Sequence, residues 1–150
     1  MVETVLGKLD NAQIEDVLGK AVIGRVGCVS DGRPYVVPIA YVYENGCVYG
    51  HSIAGKKLAA MRENPGVCFE VECVDDLQNW RSVIASGTFE ELDEAEQEAG
   101  MQLLVERLMP LMAHPGGPEG DEHGGAHPPS HGAVVFRIRL DEKSGRFEAR

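Results

Sequence analysis

Two dipeptides restrict the fold of this chain more than any other feature. Asp31-Gly32 and Asn45-Gly46 each sit between runs of β-branched and aromatic residues: Val22 to Val29, Tyr35 to Tyr43, and Cys47 to His51. Asp-Gly and Asn-Gly favour the left-handed backbone of a two-residue hairpin turn, so three consecutive strands joined by tight turns are expected. Such strands run antiparallel. Pro38, inside the second run, cannot donate to a ladder. It places its strand at an edge or a bulge, where neighbouring backbone groups are free for a ligand.

The rest of the chain alternates with that hairpin core. Asp10 and Gln13 form a capping-box pattern, and Ile14, Val17, Leu18 and Ala21 follow at helical spacing. Lys56 to Asn64 reads as a short helix stopped by Pro65, with Leu58 and Met61 on its apolar side. Val67 to Val74 and Arg81 to Leu92 read as strands separated by the acidic break Asp75-Asp76. Asp93 and Glu96 repeat the capping box ahead of a helix to about Leu111, with Leu103, Leu104, Leu108 and Met112 as its apolar face. Residues 114–132 are nearly all Gly, Pro, His and acid, which form no regular element, and Ala133 to Leu140 is the last strand. Three strands, a helix, two strands, a helix and a strand, linked by hairpins rather than βαβ crossovers, predict a mostly β (α+β) fold. Its antiparallel sheet closes into a barrel with flanking helices.

Length and charge narrow the function. At 150 residues the chain is expected to be one domain, 1–150, with residues 114–132 a loop within it. A net charge of -10 repels nucleic acid and anionic membrane, so neither is an expected partner, and any anion site has to be built locally. No leader pattern and no apolar run of membrane-spanning length occurs in the sequence, which predicts a cytoplasmic protein. Cys28, Cys47, Cys68 and Cys73 lack zinc-knuckle spacing and are expected to be reduced structural thiols.

One stretch imitates a nucleotide-binding motif. Gly50 to Lys56 spells G-x-x-x-x-G-K, but position 57 is Lys where a phosphate loop carries Ser or Thr for Mg2+, and the preceding strand belongs to a hairpin. Both departures argue against nucleotide hydrolysis. The physical content survives: a helix start presents unpaired N–H groups and partial positive charge, and His51, Ser52, Lys56 and Lys57 add donors beside it. Two lysines at a helix N-terminus oppose its dipole. Either they form a solvated helix start, or they hold an anion such as a phosphate.

Several motifs in order carry a resemblance. They are Gly27-x-Val29, then Arg33-Pro34-Tyr35-Val36-Val37-Pro38-Ile39-Ala40-Tyr41, then Val48-Tyr49-Gly50-His51-Ser52-x-x-Gly55-Lys56-Lys57, and finally Trp80-Arg81-Ser82-Val83 and Gly87. Together they resemble the pyridoxamine 5'-phosphate oxidase-like flavoproteins, most closely the nitroimidazole-resistance branch. The resemblance implies a six-stranded split β-barrel that forms a homodimer with FMN at the subunit interface. It further implies that Val37, Pro38, Ile39, Ala40 and Tyr41 line the isoalloxazine ring, and that His51, Ser52, Lys56 and Lys57 hold the phosphate and ribityl end. Trp80 and Arg81 would close the site.

The implied chemistry is that of an FMN-dependent oxidoreductase acting on a small planar molecule such as a nitroaromatic. His51 is the candidate catalytic proton donor, or else a phosphate or ribityl contact. Arg81 either stabilises anionic reduced flavin or pairs with an acid across the barrel, and Trp80 either touches the ring or packs in the core. A non-catalytic, haem-binding or deazaflavin-binding barrel is the alternative, although the cationic residues end within the 56–62 helix, short of a groove for an acidic deazaflavin tail. No arginine-rich C-terminal segment for pyridoxal phosphate is present, which argues against vitamin B6 synthesis. His123, His127 and His131 have helical spacing, but Gly124, Gly125, Pro128 and Pro129 forbid that helix, so a flexible acidic loop with no metal is expected, a lid over the flavin or a weak metal site being the alternatives.

Overall fold

The computed structural model describes residues 3–112 and 132–150; the histidine-rich loop expected at 114–132 lies almost wholly outside the described residues. The chain runs β1 (Val5–Lys8), α1 (Asn11–Lys20), β2 (Ile23–Ser30), β3 (Arg33–Ala40), β4 (Val42–Glu44) and β5 (Cys47–Ser52). It continues through α2 (Lys56–Glu63), β6 (Gly66–Asp76), β7 (Asn79–Glu90) and α3 (Glu94–Leu108), then a 3-10 turn (Met109–Leu111) and β8 (Val134–Ala149). Both capping boxes form as expected: Asp10 accepts from the Gln13 amide and Asp93 from the Glu96 amide, each at 2.8 Å. Both hairpin turns hold left-handed pairs, Asp31 (φ 50°) with Gly32 (73°) and Asn45 (50°) with Gly46 (75°).

All strand pairings are antiparallel, in the order β3-β2-β6-β7-β8-β5-β4, with β1 added on β8. The two ends of that order, β3 and β4, are consecutive in sequence and meet at Tyr41. There the Tyr41 amide bonds to Val22 O at 3.0 Å and the chain leaves β2 to pair with β5. This corner curls the sheet into a split barrel. The six expected strands are present, with 35–43 divided at the corner and β1 added. β8 runs far beyond Leu140, because β7 lies along one of its edges to Glu148 while β5 and then β1 occupy the other. A bulge between Ser86 and Gly87 leaves Asp141 without an opposite residue. Gly87 is needed there, since a Cβ would stand 2.7 Å from Arg139 O.

Inside the barrel, alternate residues of β2, β6, β7 and β8 (Val26, Phe69, Val71, Val83, Phe136 and Ile138) pack with Leu18 of α1 and Leu58 and Met61 of α2. The two helices stop opposite ends. Asp16 of α1 bonds to Arg81 near the start of β7, whereas Asn64, just after α2, bonds to Val29 O at the far end of β2. The third helix lies outside, against β4, β5 and β8, its Leu104 and Leu108 packing with Leu92 and Val135. Among the described residues no helix is long and apolar enough to cross a membrane.

Candidate functional site

The first turn of α2 is built for an anion. Gly55 precedes it in extended backbone and supplies no capping side chain, and the turn contains no acid, so its leading amides and both lysines face one corner. Among the described residues neither Lys56 nor Lys57 has a carboxylate partner. The Lys56 ammonium lies over the Tyr35 ring, 4.6 Å from its centroid. Lys57 is half-buried, and burial holds its ammonium below the usual range, with the Cys28 thiol opposing weakly. Cys28 is itself pushed up by burial, a structural thiol rather than a nucleophile. His51 and Ser52 end β5, half-buried opposite Val135 and Val134. The Ser52 hydroxyl donates to Ile53 O at 2.9 Å.

The second component is the free edge of β3. The two-residue turn pairs Ser30 with Arg33, so the backbone groups of Arg33, Tyr35, Val37 and Ile39 turn towards β2, and those of Pro34, Val36, Pro38 and Ala40 turn away. Both prolines therefore fall on the open side, as Pro38 alone predicted. That edge offers four carbonyls but amides only from Val36 and Ala40, a poor template for another strand and a selective one for a ligand with its own donors. Of residues 37 to 40, Pro38 and Ala40 turn their backbone groups to the open side. The Tyr41 side chain is fully buried against Phe69, and its hydroxyl, whose pKa burial raises, donates to Leu18 O at 2.6 Å.

Trp80 and Arg81 lie elsewhere. They line a cleft of about 340 Å³ with Gln13, Asn79, Phe147 and Glu148. Trp80 Nε1–H donates to Glu148 at 3.0 Å, and Arg81 donates to Asp16 at 2.9 Å. The arginine thus takes the acid partner that was one of its two sequence readings, and with Lys20 it holds the Asp16 carboxyl below the usual range. On β6, Cys68 (by the anion corner) and Val74 (opposite Trp80) are six residues apart, roughly 20 Å of extended strand. One chain cannot bring both groups to one small ligand.

Sequence reasoning missed Tyr35 as a partner of Lys56 and Asp16 as a partner of Arg81. No local spacing connects either pair. Among the described residues no group of three His, Cys, Asp or Glu side chains gathers for a metal, and His123, His127 and His131 lie outside the described residues.

The split barrel is a fold that its flavin-binding structural neighbours share. The family described as "Pyridoxamine 5'-phosphate oxidase" matches residues 10–147, and the chain belongs to it. A FAD-binding protein of Mesorhizobium loti has a solved structure that is 30% identical, covers 97% of this chain and 99% of its own, and superposes with a TM-score of 0.75. A putative 5-nitroimidazole antibiotic resistance protein of Bacteroides thetaiotaomicron shares the fold at 21% identity, with coverage of 99% and 93% and a TM-score of 0.70. An uncharacterised protein of Rhizobium meliloti is 29% identical over 92% of each chain.

Proposed function

We propose that this chain is a flavin-dependent oxidoreductase that holds the FMN unit of its cofactor and acts, as a homodimer, on a small planar molecule such as a nitroaromatic. The observation that carries this reading is the pair Lys56 and Lys57, two ammonium groups at an uncapped helix start with no carboxylate partner among the described residues. A terminal phosphate supplies the missing negative charge. Pro38 and Ala40 leave backbone acceptors at the β3 edge for a ring that carries its own N–H donor. A bound flavin supplies hydride or single-electron transfer, and the protein supplies position and electrostatics.

His51 stands at the end of β5, five residues before Lys56, and imidazole is the side chain that exchanges protons near neutral pH. We assign it proton donation to substrate. Trp80 and Arg81 close the site from the partner subunit, because in their own chain they stand roughly 20 Å from the anion corner. All four thiols are free, which suits a reducing cytoplasm.

The test is a flavin titration of the apoprotein. Lys56→Ala should weaken FMN binding by about 1.5 to 3 kcal/mol, roughly tenfold to a hundredfold. Unchanged affinity sinks the assignment of the corner. Sedimentation should give a dimer; a monomer that still holds flavin removes the composite site.

A further inference from the structure

We propose that Tyr35 is a positioning residue of the anion corner, its ring face holding the Lys56 ammonium in place without neutralising it. The inference rests on the flavin reading above and deepens it. An exposed lysine samples many rotamers, and fixing it when a phosphate arrives costs entropy. A carboxylate neighbour could order the side chain beforehand, but it would cancel the charge that the phosphate needs. An aromatic face attracts the ammonium through its quadrupole and leaves the charge whole.

The geometry suits that role. Lys56 Nζ stands 4.6 Å from the ring centroid, within range for a cation–π contact. The ring is itself anchored: Tyr35 sits on β3 opposite Cys28, half-buried and packed against the barrel core, close to the Asp31-Gly32 turn that sets the register. A strand residue thereby organises a helix residue 21 positions later in the chain. Lys57 reaches the corner differently, through burial beside Cys28. The two lysines are thus held by an aromatic face and by the core.

Riboflavin lacks the phosphate, so it separates this role from simple stacking or support. Apoprotein is titrated with FMN and with riboflavin by flavin fluorescence. Tyr35→Leu should weaken FMN binding by roughly threefold to thirtyfold and leave riboflavin binding unchanged. Tyr35→Phe, which keeps the ring, should bind both as wild type does. In a Lys56→Met background Tyr35→Leu should have no further effect on FMN, and Tyr35→Phe, which keeps the packed ring, carries the test if the leucine variants do not fold. The proposal is overturned if Tyr35→Leu binds FMN normally, if it loses FMN and riboflavin alike, or if Tyr35→Phe loses as much as leucine. Wild-type protein that binds FMN no tighter than riboflavin would overturn the phosphate corner itself, a separate result.

Discussion

The barrel has two outward faces, and they are finished in opposite ways. Over β4, β5 and β8 lies α3, whose Leu104 and Leu108 bury against Leu92 and Val135, with Tyr49 and Val42 at the margin. Gly100 brings the helix close, since a Cβ there would meet Val135 Cγ1 at 2.9 Å. Arg137 fastens the rim, bonding to Glu90 at 3.2 Å and Glu96 at 3.1 Å. Over β3, β2, β6 and β7 nothing among the described residues is laid down. Val36 is 66% exposed and Ile84 57%, and Val36 lines, with Gly27, Val29, Pro34 and Cys68, an apolar depression of about 360 Å³. Alternation put apolar side chains on both faces, but among the described residues only one of them is covered. A bare apolar sheet face of this kind is what a second copy would bury, and the homodimer we propose needs such a face.

The bare face also carries charge. Arg25 on β2 bonds to both Glu72 oxygens, at 2.7 and 2.8 Å, and reaches Glu70 at 3.4 Å. Two carboxylates therefore share one guanidinium. Burial, then the neighbouring Glu72 carboxylate, raise Glu70 to about 7 against the pull of Arg25, while Glu72 is lowered.

Three substitutions probe the contrast between the faces. Leu104→Ala, on the covered face, should cost about 2 to 4 kcal/mol in unfolding free energy, measured by denaturant titration, because its site is fully enclosed. Ile84→Lys, on the bare face, should change folding stability by less than about 0.5 kcal/mol yet weaken the dimer by about 2 kcal/mol, roughly thirtyfold by sedimentation. An equal loss of folding stability in both variants, with the dimer intact in the second, would erase the distinction.

Glu70→Gln should show the smallest effect. With its folded pKa raised, Glu70 contributes stability that is full below the ordinary glutamate range and is lost as pH rises through about 7. Wild-type protein should therefore lose roughly 2 °C of melting temperature from that window to pH 8, and the glutamine variant should not. Glu72, being lowered, acts at more acid pH, with stability lost as pH falls. A wild-type melting temperature flat from pH 5 to 8 would show that the pair holds no proton there.

The parts legible in the sequence were those governed by near neighbours. Asp31-Gly32 and Asn45-Gly46 turned as their backbone preferences demand, Asp10 and Asp93 capped their helices, and Pro38 marked an edge strand. The polar tail Asp141 to Ala149 did not read as a strand, because its pairing comes from β7 and β1 rather than from its own pattern. Within the candidate site, Lys56 and Lys57 could be named from their place at a helix start, whereas Arg81 stayed open until Asp16, 65 residues away, took up its guanidinium.

The sequence by itself determined where the chain turns, which segments are helical and where positive charge meets uncapped amides, since each of these is settled within a few residues. Only the tertiary structure decided which strands close the barrel, which outward face receives a helix, and that Tyr35 holds Lys56 while Trp80 and Arg81 stand at the other end. Those outcomes depend on which apolar faces can be buried against one another, and that choice joins residues far apart along the chain.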